Sequence, residues 1–186
     1  MPFSTTDIAG LLVFEPRLFE DSRGYFFESY NQQVFQEGGI NCLFVQDNQS
    51  SSNYGVIRGL HYQLPPFAQA KLVRVLQGHI LDVAVDIRKG SPSFGKVFSI
   101  ELSDQNKKQL FIPAGFAHGF SVLSERAEIL YKCDNFYNRE YDAGIAFNDA
   151  GLAIDWQIPA EKVIVSDKDK QLPGLAECRN DFVFIP

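Results

Sequence analysis

Two histidines and a lysine in the first two thirds of the sequence have the side chains best suited to acid–base chemistry. His61 lies in the stretch "GVIRGLHYQ", residues 55–63, Lys71 follows it, and His118 ends the stretch "PAGFAH". A neutral imidazole can remove a proton near neutral pH. An ammonium group can stabilise negative charge that develops on a substrate oxygen. These residues therefore predict proton abstraction from a substrate whose oxygen takes up the resulting charge.

The spacing of these residues resembles the metal motif of the cupins, which are small jelly-roll barrels. Gly55, five residues and His61 match the first half of that motif, and residues 113–118 match the Pro-x-Gly-x-x-His core of its second half. A cupin interior usually holds a metal on three histidines and a glutamate. Here Gln63 and Lys71 occupy two of the ligand positions; glutamine is a poor ligand, and an ammonium group has no free lone pair. We therefore predict a barrel without a metal ion or a cofactor.

The elements that position these side chains are mostly β-strands, since the 17 Phe and 7 Tyr pack well on pleated faces. The segment "GLLVFEPRLFEDSRGYFFESY" predicts two early strands around a polar turn at residues 20–24. The segment "NQQVFQEGG" predicts a short helix that ends at the glycine pair.

A longer β-pattern follows the predicted helix. The segment "AKLVRVLQGHILDVAVDI" predicts two strands that meet at residues 77–79 and pair as a hairpin with one buried face. Further strands are predicted in "KVFSIELS", "QLFIPAGFAHGFSVLS" and "AEILYKCDNFY". Such strands close most economically as a jelly roll. We predict an all-β, cupin-type antiparallel jelly-roll barrel with a few short peripheral helices, and a polar tail, "SDKDKQLPGLAE", over the barrel as a short helix or loop.

Length and composition bear on the number of domains, on nucleic-acid binding and on the cellular location. The 186 residues fit a single domain, 1–186, without repeats or a linker, and a net charge of -6 argues against nonspecific nucleic-acid binding. Cys42, Cys133 and Cys178 are odd in number and widely spaced, which favours a reducing cytoplasm over a disulfide framework. The N-terminus lacks a signal-peptide pattern and no apolar run is long enough to cross a bilayer. We expect a soluble cytoplasmic protein without membrane contact.

Five segments carry a more specific resemblance. They are "RGLHYQ", "QAKLVRVLQGHILDVAVDIRKGSPSFG", "PAGFAHGF", "LYKCDNFY" and "VSDKD", in this order. Together they closely resemble the dTDP-4-dehydrorhamnose 3,5-epimerases of bacterial deoxysugar biosynthesis, over about residues 14–169. The resemblance implies metal-independent 3,5-epimerisation of dTDP-4-dehydro-6-deoxy-D-glucose to dTDP-4-dehydro-L-rhamnose, the precursor of dTDP-rhamnose.

The resemblance also implies a mechanism. The substrate protons at C3 and C5 lie α to the C4 ketone, and removal of either gives an enolate. An imidazole is a weaker base than such an enolate by on the order of ten pKa units, or roughly 14 kcal/mol, so the site must stabilise the enolate. By resemblance His61 is the base, Asp169 orients it, Lys71 faces the C4 oxygen, and Tyr131 delivers a proton to the opposite face.

The substrate-binding residues follow from the resemblance as well. Arg23, Phe26 and Glu28 lie in the early strands, about residues 1–50, and are expected to reach the nucleotide of a neighbouring subunit, which predicts a homodimer. Tyr137 corresponds to an aromatic residue that stacks on thymine. Asp142 stands where many relatives have a glutamate, so its contact is left open. Five further residues are expected to contact the nucleotide, its diphosphate or the sugar: Gln46, Asn48, Arg58, His118 and Lys168.

Several of these residues have simpler interpretations. Tyr131 has the parity of a core aromatic, and Lys71 alone would be a solvated residue at a strand end. Strict alternation places Arg58 on the opposite strand face from His61, unless Gly59 permits a bulge or Arg58 lies at the barrel mouth. Three alternative functions stay open: an epimerase of C3 only or C5 only, a sugar-nucleotide-binding cupin without catalysis, and a metal cupin oxygenase, against which Gln63 and Lys71 count.

Overall fold

Two facing β-sheets form the centre of the structure, a computed structural model that describes residues 2–185. Residues 1 and 186 of the predicted single domain lie outside the described residues. One sheet has the spatial order β1 (Phe3–Thr5), β2 (Leu12–Phe14), β10 (Gln109–Ile112), β7 (Lys71–Gln77), β12 (Arg126–Cys133) and β5 (Gln46–Asn53). The other has the order β13 (Asp142–Gly144), β6 (Ile57–Gln63), β11 (Phe116–Val122), β8 (His79–Asp86) and β9 (Val97–Ser103). Adjacent strands in both sheets run antiparallel.

The inner faces of the two sheets enclose the main hydrophobic core. Val73 of β7, Ile129 of β12 and Ala84 of β8 are each fully buried there. Their inward positions follow from strand alternation, because every second side chain points to the same face. The all-β architecture of two facing antiparallel sheets confirms the prediction of a cupin-type jelly roll.

A second core lies on the outer face of the five-stranded sheet, beneath the C-terminal segment, residues 145–185. Trp156 and Phe182 of that segment are both buried, and the Tyr62 hydroxyl donates to the carbonyl oxygen of Arg179 at 2.5 Å. Leu175, which belongs to the predicted polar tail of residues 166–177, packs against the same core, so this tail does lie over the barrel. It contains a short 3-10 helix, Asp169–Gln171; two further 3-10 helices span Arg139–Tyr141 and Ala160–Lys162.

The early segment contains the predicted helix and, before it, two strands more than expected. Helix α1 spans Gln32–Glu37, is capped by the Asn31 side chain and stops at Gly38, as predicted. The predicted polar turn separates β3 (Phe19–Asp21) from β4 (Gly24–Phe26), which form an exposed two-stranded hairpin apart from both sheets. The two additional early strands are β1 and β2, which pair with each other in the six-stranded sheet.

The predicted hairpin between β7 and β8 is wrong. The two strands meet at Gly78 as expected, but β7 pairs with β10 and β12, whereas β8 pairs with β11 and β9 in the facing sheet. Gly78 has φ +86°, and a Cβ there would overlap the carbonyl oxygen of Arg126, so only glycine fits this turn between sheets. Both faces of β8 are buried, because the C-terminal segment covers the outer one.

Candidate active site

A polar pocket of about 360 Å³ opens between the two sheets. The five-stranded sheet and the six-stranded sheet form its opposite walls, and the segment after β12 forms part of its rim. Ten of the fourteen predicted site residues line this pocket: Gln46, Asn48, Arg58, His61, Lys71, His118, Tyr131, Tyr137, Asp142 and Lys168.

His61 and Asp169 form a dyad at one wall of the pocket. Nε2 of His61 lies 2.7 Å from Oδ1 of Asp169, and Asp169 is buried while His61 is partly open to the pocket. An ionised carboxylate accepts a hydrogen bond from the Nε2–H group, which leaves the imidazole lone pair on Nδ1. The pair can therefore supply an oriented neutral imidazole as a base.

Asp169 is held by the first turn of its 3-10 helix as well as by His61. Its backbone N–H donates to the Ser166 hydroxyl at 3.1 Å, and its Oδ2 accepts from the Gly59 backbone N–H at 3.4 Å. Burial acts to raise the pKa of Asp169, but the hydrogen bond and charge of His61 and the Gly59 N–H outweigh burial and hold the pKa below its ordinary value. Asp169 is therefore ionised when His61 acts as a base.

Lys71 supplies a cation at the first residue of β7, on the wall opposite His61. Burial lowers the pKa of its ammonium, and the neighbouring Cys133 thiol and the carboxylates of Asp82 and Asp142 act in the opposite direction. Among residues 2–185 this ammonium forms no ion pair. It is therefore available to a negatively charged oxygen in the pocket.

Tyr131 lines the pocket from the same sheet as Lys71. It lies on β12 opposite Val73 of β7, and the Lys71 Nζ atom is 6.0 Å from the centre of its ring. Its ring packs against the main core, which agrees with the simpler interpretation, and yet it also faces the pocket. Burial raises the pKa of the Tyr131 phenol, so the hydroxyl keeps its proton at neutral pH.

His118 forms a second histidine–aspartate pair, deeper in the barrel. Its Nε2 lies 2.7 Å from Oδ1 of Asp82, and both side chains are buried. Oδ2 of Asp82 has no hydrogen-bond partner among the described residues. Asp82 is not among the predicted site residues, although it lies on the same face of β8 as the core residue Ala84.

Arg58 lies on the same strand face as His61 because of a β-bulge. His61 pairs with His118 of β11, while Arg58 pairs with Phe120, so three positions on β6 span two on β11. One extra residue in β6 reverses the alternation between Arg58 and His61. The bulge is the first of the two solutions that the sequence left open.

Gly59 and Ser52 set the position of the Arg58 side chain. Gly59 has φ +116°, and a Cβ at this position would lie 2.6 Å from the Gly119 Cα, so the bulge requires glycine. Nε of Arg58 donates to the Ser52 hydroxyl at 3.0 Å, which directs the guanidinium group to the pocket.

Asp142 connects several residues at the pocket rim. Its Oδ2 accepts from Lys168 Nζ and from the Tyr137 hydroxyl, the latter at 3.3 Å, and its Oδ1 accepts from Gln63 Nε2 at 3.2 Å. The hydrogen bond with Asp142 raises the pKa of Lys168. Tyr137 is 53% exposed, so one face of its ring is free to stack.

Three predicted site residues lie away from the pocket of their own chain. Arg23 and Phe26 belong to the β3–β4 hairpin, and Glu28 follows it. Phe26 is 70% exposed, and Arg23 contacts Asp21 of its own hairpin. Their predicted role requires a second subunit, and it stays a prediction.

Six residues that line the pocket are not among the predicted site residues. They are Ser50, Tyr62, Gln63, Gln69, Gly119 and Phe120, of which the sequence singles out Gln63 only as a poor metal ligand. Phe120 shares the parity of His118 on β11, so alternation from that histidine could have found it. Ser50 shares the parity of Gln46 and could have been found in the same way.

The donor set of the pocket is unlike that of a metal site. Within residues 2–185 no three His, Cys, Asp or Glu side chains are grouped to hold a metal ion. His61 and His118 pair across adjacent strands, but the other two cupin ligand positions hold Gln63 and Lys71, whose side chains are poor ligands for a metal ion.

The fold and the pocket place this chain in the class of cupin-like enzymes with a jelly-roll barrel. The family model described as dTDP-4-dehydrorhamnose 3,5-epimerase matches residues 5–177, and the chain belongs to this family of isomerases. It is 54% identical over 165 residues to the dTDP-4-dehydrorhamnose 3,5-epimerase of Shigella flexneri, covering 88% of this chain and 90% of that one.

Solved structures agree with this assignment. The dTDP-4-dehydrorhamnose 3,5-epimerase of Elizabethkingia anophelis has 52% identity and a TM-score of 0.91, covering 94% of this chain and 96% of that one. A 3,5-epimerase from Legionella pneumophila, solved in complex with dTDP-4-keto-L-rhamnose, has 47% identity and a TM-score of 0.91, covering 94% of this chain and 93% of that one. No helix within residues 2–185 is long and apolar enough to cross a membrane.

Proposed function

We propose that this chain catalyses the 3,5-epimerisation of dTDP-4-dehydro-6-deoxy-D-glucose to dTDP-4-dehydro-L-rhamnose in dTDP-rhamnose biosynthesis. One geometric observation supports this above all: His61 and Tyr131 face the same pocket from opposite sheets. A sugar ring between the two sheets presents one face to the imidazole and the other to the phenol. Inversion of a carbon requires a base on one face and an acid on the other.

In the proposed reaction Nδ1 of His61 removes the proton at C3 or C5, and Asp169 stabilises the imidazolium that forms. The ammonium of Lys71 stabilises the negative charge on the C4 oxygen of the enolate, a task that needs no metal. The Tyr131 hydroxyl then donates a proton to the opposite face of the same carbon. His118 contacts the sugar and is held by Asp82.

The remaining pocket residues bind the dTDP group in this proposal. Arg58 and Lys168 provide the cations for the diphosphate, which prefers charge-assisted hydrogen bonds. Tyr137 stacks on thymine from the rim, with Asp142 fixing both its hydroxyl and Lys168. Gln46 and Asn48 of β5 contact the nucleotide or the sugar; Nε2 of Gln46 donates to Oδ1 of Asn48 at 3.0 Å.

A homodimer is part of the proposal, with the early strands of the single domain contributing to the neighbouring site. Arg23, Phe26 and Glu28 extend from the barrel in an exposed position, and each has a side chain suited to a nucleotide contact. The three free cysteines are the form that a reducing cytoplasm maintains, which supports a cytoplasmic location.

Deuterium incorporation tests the reaction directly. The protein is incubated with dTDP-4-dehydro-6-deoxy-D-glucose in deuterated water, and the label at C3 and C5 is counted by mass spectrometry and NMR. Label at both carbons with an L-rhamno product is the expected result. Label at one carbon would identify an epimerase of C3 only or C5 only, and no label would leave a binding protein without catalysis.

Complementation between two inactive variants tests the dimer. Arg23→Ala and His61→Ala are purified separately, unfolded together and refolded as a mixture. If Arg23 serves the neighbouring pocket, half of the dimers are mixed and each has one intact site, so about one quarter of the wild-type activity returns. If Arg23 serves its own pocket, or the protein is a monomer, no activity returns.

A further inference from the structure

Gln63 is a buried polar residue that has no role in the proposed reaction. It is the last residue of β6, two positions after His61, and only 4% exposed. A buried amide is costly unless both its donor and its acceptor find partners. The partners of Gln63 therefore indicate why an amide stands at this place.

Both ends of the Gln63 amide are engaged by the segment that forms the pocket rim. Oε1 accepts from the backbone N–H of Asn138 at 2.8 Å, and Nε2 donates to Oδ1 of Asp142 at 3.2 Å. Since a backbone N–H can only donate and an ionised carboxylate can only accept, these two partners fix the orientation of the amide. Asn138 in turn caps the 3-10 helix Arg139–Tyr141 through its own side chain.

The hydrogen bonds continue from Asp142 to the two rim residues that face the nucleotide end of the pocket. Oδ2 of Asp142 accepts from the Tyr137 hydroxyl and from Lys168 Nζ. Lys168 directly precedes Asp169, which holds His61. These contacts therefore connect Gln63 on β6 with the pocket rim and, through Lys168, with the dyad of His61 and Asp169.

We propose that Gln63 is a positioning residue that fixes Asp142, and through it Tyr137 and Lys168, for the nucleotide and diphosphate. This inference rests on the proposed function, because it takes these rim residues as the binding surface for dTDP. A leucine at position 63 would leave the Asn138 N–H and one Asp142 oxygen without partners. A glutamate would still accept from Asn138 but would place a second carboxylate against Asp142.

The dyad has its own anchors, so Gln63 is expected to govern binding rather than proton transfer. Asp169 is held by Ser166 and Gly59, and neither contact involves the rim. Loss of the Gln63 contacts should therefore weaken binding of dTDP and raise KM, while kcat at saturating substrate changes little. A change that merely loosened the barrel would affect kcat and thermal stability as well.

The test compares Gln63→Glu with the double variant Gln63→Glu/Asp142→Asn. In the double variant the amide and the carboxylate exchange places, so one hydrogen bond returns with reversed direction and the net charge is that of the wild type. Ser121→Ala is the matched control, since it removes another fully buried side-chain hydrogen bond, from Oγ to the Trp156 carbonyl oxygen, within the second core. Calorimetry gives the Kd for dTDP, and steady-state kinetics give KM and kcat.

For Gln63→Glu we expect a Kd for dTDP and a KM raised about tenfold, the effect of a lost hydrogen bond to a charged group, with kcat within about threefold of the wild type. The double variant should recover a large part of the lost affinity, and Ser121→Ala should keep the wild-type Kd. An unchanged Kd in folded Gln63→Glu, or a fall in kcat at unchanged KM, would overturn the proposal. A lack of recovery in the double variant would do the same.

The two proposals can fail separately. Deuterium exchange by the wild-type protein tests the reaction, whereas the Kd for dTDP is measured without turnover. If the wild type binds dTDP but gives no exchange, the proposed reaction fails and the role of Gln63 in binding is still measured. If the wild type gives exchange and Gln63→Glu binds dTDP normally, the inference on Gln63 fails alone.

Discussion

Nε2 of His61 and Oδ1 of Asp169 lie 2.7 Å apart although 108 positions separate the two residues in the chain. The strand that carries His61 belongs to the five-stranded sheet, and the short helix that begins at Asp169 belongs to the C-terminal segment that packs on that sheet. Docking of this segment therefore creates the dyad, and the orientation of the base depends on it.

Replacement of the dyad carboxylate should impair proton abstraction but not binding. In Asp169→Asn the amide can present its N–H to Nε2 and thereby favour the wrong tautomer, so kcat should fall by about 10²–10⁴-fold. The Kd for dTDP should stay close to that of the wild type. Asp167→Asn is the control, because Asp167 is an exposed neighbour that pairs only with Lys170. Equal kcat values for Asp169→Asn and Asp167→Asn would contradict the role of the dyad.

Removal of the Tyr131 hydroxyl should separate exchange from inversion. Tyr131→Phe keeps the base and the cation, so protons at C3 and C5 should still exchange with deuterated water from the His61 face. Net formation of the L-rhamno product should fall by about 10²-fold or more, since the opposite face lacks its acid. The readout is the ratio of washout to inverted product, with Tyr54→Phe as an exposed control. Normal inversion by Tyr131→Phe would show that another group is the acid.

The charge of Lys71 should appear in the pH dependence of the rate. Its pKa is lowered by burial, so the active cation is lost at a lower pH than for an ordinary lysine, and kcat/KM should decline as the pH rises through that value. Asp82 helps to hold the charge, so Asp82→Asn should move this decline to lower pH. Lys71→Met should lower kcat by about 10²–10³-fold and remove the decline altogether. If kcat/KM of Lys71→Met still declined as the pH rises, the decline would belong to the ionisation of another group.

A buried carboxylate far from the pocket should control acid stability. Asp86 is fully buried and accepts hydrogen bonds from Arg88, Ser91 and Ser93. Burial acts to raise its pKa, but these hydrogen bonds lower it to about 2. A lowered carboxyl pKa means that the stabilisation is present above the unfolded pKa near 3.8 and is lost as the pH falls toward 2. At neutral pH it amounts to about 2 kcal/mol.

Urea unfolding at two pH values checks the contribution of Asp86. Asp86→Asn should lower the free energy of unfolding by about 2–4 kcal/mol at pH 7, and the difference from the wild type should narrow near pH 2.5. Asp7→Asn removes an exposed ion pair with Lys96 and should leave the free energy of unfolding close to that of the wild type. If Asp86→Asn and the wild type differed in free energy of unfolding by the same amount at both pH values, the stabilisation would not depend on ionisation of Asp86.

Local patterns in the sequence were sufficient for most of the strands and for the residues on them that face the pocket. His61, Lys71 and His118 could be selected because motif spacing acts over a few residues, whereas alternation alone predicted a core aromatic at Tyr131 and only the family resemblance selected it for the site. Helix α1 and its end at Gly38 were predictable for the same reason. These features depend on neighbours in the chain.

What the sequence did not reveal depends on distant partners. The face of Arg58 is decided by the register between β6 and β11, and an extra residue in one strand is not visible in the alternation of the other. The hairpin predicted at Gly78 is wrong because β7 pairs with β10 and β12 while β8 pairs with β9 and β11, and these later strands are not visible in the local pattern. The partners of Gln63 are 75 and 79 positions away.

The late position of Asp169 separates the part of the chain that forms the strands from the part that completes the dyad. The strands of both sheets are complete by residue 144, whereas the carboxylate that contacts His61 lies in the C-terminal segment. Without this segment the pocket would keep Lys71 on β7 but lose Lys168, and the His61 imidazole would have no carboxylate to define its tautomer. Activity should therefore report complete folding of the chain more faithfully than the β-sheet signal of the barrel.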